Sequence, residues 1–167
     1  MEPVVGIIMG SDSDLNIMGE AARQLKAFDI PFEIDICSAH RSPARASEYA
    51  RTAAERGLKC IIAGAGGAAH LAGVTAAETV LPVIGVPVDS SPLSGFDSLL
   101  ATVQMPGGVP VGTMGVGKSG AVNAAIFAAQ ILATSDAALA ERLAGYKQSL
   151  ADKIRTKSAH VKATFSV

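Results

Sequence analysis

His40 and Arg41 stand side by side in Ser38-Ala-His-Arg-Ser-Pro43, directly after an apolar run that ends at Cys37. Imidazole, with an unperturbed pKa of about 6.5, can both take and give a proton near neutrality. The guanidinium beside it offers a planar fork that suits phosphate. Taken alone, the pair fits a solvent-facing loop just as readily, because loop position is only a modest pointer to function. A second polar segment, Gly10-Ser-Asp-Ser-Asp14, follows the apolar run Val4 to Met9. Gly10 lets a ligand approach the backbone, and Ser11 sets a hydroxyl and an amide near a helix start, where phosphate is favoured. The two aspartates repel phosphate but suit sugar hydroxyls. Ser13 or Asp14 can equally be a helix cap, and one residue can do both.

The third segment is Gly64-Ala-Gly-Gly-Ala-Ala-His-Leu71. Its six leading residues carry almost no side-chain volume, so backbone amides can line a small pocket with His70 as an orienting group. Tight helix–strand packing with a capping histidine is the competing reading. The fourth, Gly112-Thr-Met-Gly-Val-Gly-Lys-Ser119, matches the P-loop pattern G-x-x-x-x-G-K-S. Its late position argues against nucleotide hydrolysis, as does the lack of a later apolar strand ending in Asp to hold Mg²⁺. The earlier strands also carry the other polar loops. There is no G-x-S-x-G elbow, no histidine or cysteine cluster with zinc spacing, and no G-x-G-x-x-G after the first strand. Cys37 and Cys60 lack a metal or CxxC spacing and read as buried, inert thiols in a reducing, cytoplasmic setting.

These segments need a scaffold that collects them. Val4 to Met9, Phe32 to Cys37, Cys60 to Ala63 and Val83 to Val88 are short apolar runs bounded by polar, Gly or Pro residues, as buried parallel strands are. Val109 to Met114 is a weaker fifth. Between them, Leu15, Met18, Ala22 and Leu25 recur at helical spacing. Pro43 opens a helix to about Arg56, which Gly57 stops. Further helices are predicted over Leu71 to Thr79, Ser94 to Val103 and Gly120 to Ala133. A long one, about residues 136–162, carries the stripe Leu139, Leu143, Tyr146, Leu150, Ile154. Alternating strands and helices give a parallel sheet with helices on both faces, whose ligands bind at the carboxyl ends of the strands. Every polar or Gly-rich segment above falls at such an end.

At 167 residues the chain is read as one domain, 1–167. It has 17 glycines, 30 alanines and no tryptophan, which points to close backbone packing and away from base-stacking on aromatic rings. The net charge of −1 leaves no basic excess for a nucleic acid. Mean hydropathy is +0.36, yet no run reaches the roughly 18 apolar residues of a membrane span. No signal peptide is evident. An apolar excess without a membrane span points to surface buried between subunits, and the terminal helix needs a partner for its stripe.

The three strand-end segments occur in order with Pro82-Val-Ile-Gly-Val-Pro87, Ser98-Leu-Leu-Ala-Thr-Val-Gln-Met-Pro106, Gly108-Val-Pro-Val-Gly112 and Asn123-Ala-Ala. From about Val4 to Leu150 the chain resembles the PurE family of purine biosynthesis. The His-Arg pair and the Gly/Ala segment are similar to its class I, the N5-carboxyaminoimidazole ribonucleotide mutases. Class II, the aminoimidazole ribonucleotide carboxylases, usually has His-Lys. Leu15, Ser42, Ala72 and Gly115-Val116 depart from residues usual in class I, and Ser119 stands where the family often has Ala. The resemblance implies a three-layer flavodoxin-like fold and carboxylate transfer from N5 to C4 of an aminoimidazole ribonucleotide, with no metal or organic cofactor. It implies His40 as the proton-transfer residue, Ser11 and Arg41 on phosphate, and Asp14 on ribose. Gly10, Ser38, Ala39 and Leu71 complete the substrate site, with the Gly66, Gly67 and Ala68 backbone and His70 around the carboxylate or CO2. It also implies a homo-octamer with sites at subunit interfaces. A carboxylase that uses free CO2, and a non-catalytic nucleotide-binding module, are the competing readings.

Overall fold

The structure, a computed structural model, describes residues 2–165. Five parallel strands, β1 (Val5–Met9), β2 (Phe32–Ile36), β3 (Cys60–Gly66), β4 (Val83–Val88) and β5 (Gly112–Thr113), form one sheet in the order β2-β1-β3-β4-β5. The helices are α1 (Leu15–Ala27), α2 (Pro43–Thr52), α3 (Leu71–Glu78), α4 (Phe96–Val103), α5 (Gly117–Ala133) and α6 (Ala137–Phe165). This is the flavodoxin-like order, with its topological switch point between β1 and β3. Residues group into two compact units, one running to Ala128 and the other starting at Ala129.

The strand sequences explain the layers. All five residues of β1 and all six of β4 are buried, as befits strands covered on both faces. Gly6, Ile8, Ala63 and Gly85 share one face by register. There Ile8, Ile61 and Ala63 pack with Tyr49 of α2 and Leu71 and Ala72 of α3. The opposite face carries Met9, Gly64 and Val86, and it meets Met18 of α1. β2 is an edge strand. Its Glu33 and Asp35 pair with Arg56 and Arg45 at 2.9 and 2.7 Å, while Ile34 and Ile36, on the α1 side, are exposed. Charged side chains on an edge discourage unwanted strand pairing.

The predicted elements recur with shifted ends. Regular α2 bonding stops at Thr52, but the chain keeps turning to Gly57, whose φ is +93°. Gly57 N–H donates to Ala54 O and Leu58 N–H to Ala53 O, both at 3.1 Å, which is a Schellman stop. β3 runs through Gly66 rather than ending at Ala63. β5 is only two residues long, because Pro110 has no N–H for the ladder and the turn at Gly107-Gly108 comes just before it. α4 starts at Phe96, since Ser94 and Gly95 both take positive φ. α5 starts three residues earlier than predicted, at Gly117, and buries Ala121, Ala124, Ala125 and Ala128. In α6, Leu139 and Leu143 are buried, whereas Leu150 and Ile154 are exposed.

Candidate active site

The three polar segments meet at the carboxyl ends of β1, β2 and β3, around the switch point. At the end of β1, Gly10 N–H donates to Gly64 O at 3.2 Å, tying this loop to β3. Ser11 then caps a 3-10 turn over Asp12–Asp14. Its hydroxyl accepts from Ser13 N–H at 3.4 Å, and the Asp14 carboxylate accepts from Ser11 N–H at 3.1 Å. This reciprocal capping box uses both residues locally and leaves Asp14 buried and Ser11 half-buried at the cavity wall. Burial pushes the Asp14 carboxyl above its usual range, because desolvation disfavours the charge. The Ser11 amide and the positive charge of Arg41 oppose that shift.

At the end of β2, Ser42 Oγ accepts from Ser38 N–H at 3.2 Å and Ser38 Oγ accepts from Arg41 N–H at 3.1 Å. The loop is thus folded on its own serines before α2 begins at Pro43. Arg41 reaches across to donate from Nη2 to Gly10 O at 2.8 Å, so its guanidinium links the β1 and β2 loops at the rim. His40 Nε2 lies 2.7 Å from His70 Nδ1, with the two rings nearly perpendicular. This contact joins the end of β2 to the start of α3.

Together these residues line a cavity of about 410 Å³, in the range of small-ligand sites. Of the residues singled out in the sequence, Gly10, Ser11, Asp14, Ser38, Ala39, His40, Arg41, Gly66, Ala68, His70 and Leu71 line it. Gly67 does not; at φ +59° it makes the turn that delivers Ala68 and His70. Ser13 and Ala65, from the first and third segments, also line the cavity, and so does Ser90, which lies outside all of them. Ser90 had a legible signal, since it follows β4 at the same carboxyl edge as the rest. It also explains the glycine at 66: a Cβ there would overlap Ser90 Oγ and come within 3.2 Å of Val88 O.

The P-loop-like segment is not part of this cavity. Gly117 opens α5 at φ +75°, and the Asp89 carboxylate lies 3.6 Å from where a Gly117 Cβ would sit. A carboxylate from this chain therefore stands at the helix start that a P-loop offers to phosphate. Both cysteines are buried. Burial raises the Cys37 thiol above its ordinary value and pushes Cys60 up to about 12, so neither is a thiolate at neutral pH. Among the described residues no helix is long and apolar enough to cross a membrane.

A flavodoxin-like sheet whose switch-point cavity holds a histidine pair, an arginine and a buried aspartate defines a small-molecule enzyme of the α/β class. A sequence model of the AIR carboxylase family matches residues 4–153, and the chain belongs to that family. It is 61% identical over 143 residues to N5-carboxyaminoimidazole ribonucleotide mutase of Bacillus subtilis, covering 86% of this chain and 88% of that one. The mutase of Pyrococcus horikoshii is 55% identical over 157 residues, covering 94% of this chain and 88% of that one. The crystal structure of Treponema denticola PurE superposes with a TM-score of 0.83 at 27% identity, covering 99% of each chain.

Proposed function

We propose that the chain is an N5-carboxyaminoimidazole ribonucleotide mutase, an isomerase of purine biosynthesis. The observation that carries the reading is the convergence of His40, His70, Asp14 and Arg41 on one cavity that Gly66, Ala65 and Ala68 also line, in a chain 61% identical to the Bacillus subtilis mutase.

In this reading Ser11 and Arg41 hold the substrate phosphate and Asp14 the ribose. Arg41 is already oriented by Gly10 O, so less ordering remains to be done on binding. The carbamate C–N bond breaks as N5 takes a proton, releasing CO2 and leaving aminoimidazole ribonucleotide. CO2 stays against the backbone of Gly66 and Ala68, where the lack of side-chain bulk permits close approach. Carbon C4 then attacks CO2, and the C4 proton leaves to restore the aromatic ring. His40 supplies the first proton and receives the second, so the enzyme ends as it began. Water exclusion and fixed geometry keep the released CO2 within reach of C4.

We further propose that the enzyme works in the cytoplasm as a homo-octamer, with the whole chain as one functional domain and α6 laid on neighbouring subunits. The exposed apolar side chains Leu15, Ile34, Ile36, Leu150 and Ile154 support an assembled state.

The test is a substrate assay. Purified chain given N5-carboxyaminoimidazole ribonucleotide is expected to form the C4 isomer without ATP or added bicarbonate. Turnover only of the uncarboxylated nucleotide with bicarbonate would overturn the mutase reading in favour of a carboxylase.

A further inference from the structure

We infer that His70 is a positioning residue: it accepts a hydrogen bond from His40 Nε2–H and so makes Nδ1 the working nitrogen of His40. The inference rests on the mutase reading only for its kinetic arm.

The two facing nitrogens, His40 Nε2 and His70 Nδ1, are 2.7 Å apart. Two N–H groups pointed at each other repel, and so do two lone pairs, so this contact forms with one proton between the rings. That leaves two arrangements. If His70 were the donor, Nε2 of His40 would be the acceptor and could bear no proton. His40 could then never become the doubly protonated acid without breaking the contact. If His40 is the donor, Nε2–H stays in place in both of its protonation states, and Nδ1 alone gains and loses a proton. Only this second arrangement lets one histidine serve both halves of the reaction from a fixed position.

The surroundings agree. Among the described residues no protein group is hydrogen-bonded to His40 Nδ1, so it is available to a ligand. The contact spans 30 residues, and no other side-chain–side-chain hydrogen bond among the described residues joins the β2 loop to the β3 end. The charged groups sharing the cavity are Asp14 from the β1 end and Arg41 from the same loop as His40; β4 contributes only the neutral Ser90. The proton ledger closes. The singly charged pair gives the Nδ1 proton to N5 as CO2 leaves. The neutral pair then takes the C4 proton at the same Nδ1 once the new C–C bond has formed. His70 remains neutral and protonated on Nε2 throughout, orienting His40 as the buried carboxylate orients histidine in a serine-protease triad.

The chain has three histidines, His40, His70 and His160, so ¹⁵N-histidine spectra of the whole protein assign readily. Above neutral pH, His40 is expected as the Nε2–H tautomer and His70 with a bare Nδ1. Finding His70 protonated at Nδ1 overturns the inference, whatever the substrate assay shows. In kinetics, His70→Asn keeps an acceptor where Nδ1 stood and is expected to stay within about fivefold of wild-type kcat. His70→Leu fills similar space without an acceptor and is expected to lose about tenfold or more in kcat with little change in KM, and to shift the pH profile. Equal activity of the Asn and Leu variants with an unmoved pH profile also refutes it. Should His70→Leu fail to fold, the wild-type tautomers still decide. Absence of any mutase turnover in wild type counts against the proposed function and leaves the tautomer measurement standing.

Discussion

Gly64→Ala tests how the sheet and α1 hold the site without touching the cavity. Gly64 lies between Met9 of β1 and Val86 of β4. A Cβ at this position would overlap Met18 Sδ and come within 2.8 Å of both Met18 Cγ and Cε. Met18 is fully buried, so any shift of its side chain must be made within the core. Forcing an added methyl into a filled core costs about 1–3 kcal/mol. For a chain of this size each kcal/mol lowers Tm by about 2–4 °C, giving a drop of roughly 2–12 °C. Met18→Ala alone removes a buried side chain and costs about 2–5 kcal/mol. In the double variant the methyl added at position 64 occupies part of the space Met18 vacates. The combined loss should therefore fall short of the sum by about 1 kcal/mol or more. Urea and thermal melts of the four proteins at one concentration read this coupling, since an assembling chain melts in a concentration-dependent way. Additivity within about 0.3 kcal/mol would refute the packing of α1 on this face. Gly64 O also accepts Gly10 N–H, so Gly64→Ala is expected to lower kcat/KM as well.

Asp14 is held protonated to higher pH in the fold than in the unfolded chain, because burial raises its pKa. Its contribution to stability therefore falls as pH rises from its ordinary value of 3.8 toward the raised one. Asp14→Asn should gain in Tm relative to wild type across that window while binding substrate more weakly; a Tm difference that does not vary with pH refutes this. Gly66→Ala should cut kcat/KM by about tenfold or more, since its Cβ displaces Ser90 Oγ and crowds Val88 O, a loss of about 1.4 kcal/mol. Ser90→Gly added to it should restore part of the loss, and no restoration argues against the clash. ATP with Mg²⁺ should leave the wild-type Tm unmoved within about 1 °C, because Asp89 stands at the start of α5. A saturable thermal shift would restore the P-loop reading.

What could be read from the sequence was local. The buried runs of β1 and β4, the Gly57 stop and the polar segments at strand ends each declare themselves within a few residues. What escaped depends on groups far apart in the chain. The Asp14 alternatives, cap or ligand contact, are compatible, because a capping box can face a cavity. β5 is shorter than its apolar content suggests because that content is outweighed by the missing N–H of Pro110. Ser90 shows itself only by its place just after β4 at the carboxyl edge, and its approach to Gly66, which gives that glycine its reason, exists only in the fold. The His40–His70 contact has no sequence signature, since its 30-residue span is closed only by the β1–β3 switch point.

Gly10, Ala65, Gly66 and Ala68 give the cavity stretches of wall with little or no side chain, and this constrains how the site can escape inhibition. A compound that leans on the backbone of Gly66 and Ala68 and on the Gly10 carbonyl at the rim meets atoms that no codon change can remove. At Gly66 the available changes all add bulk, and the first added carbon already collides with Ser90. Resistance at that position would come with damage to the substrate's own place. Selection under such a compound is therefore expected to act on Arg41, on the outer loops, or on how much enzyme the cell makes.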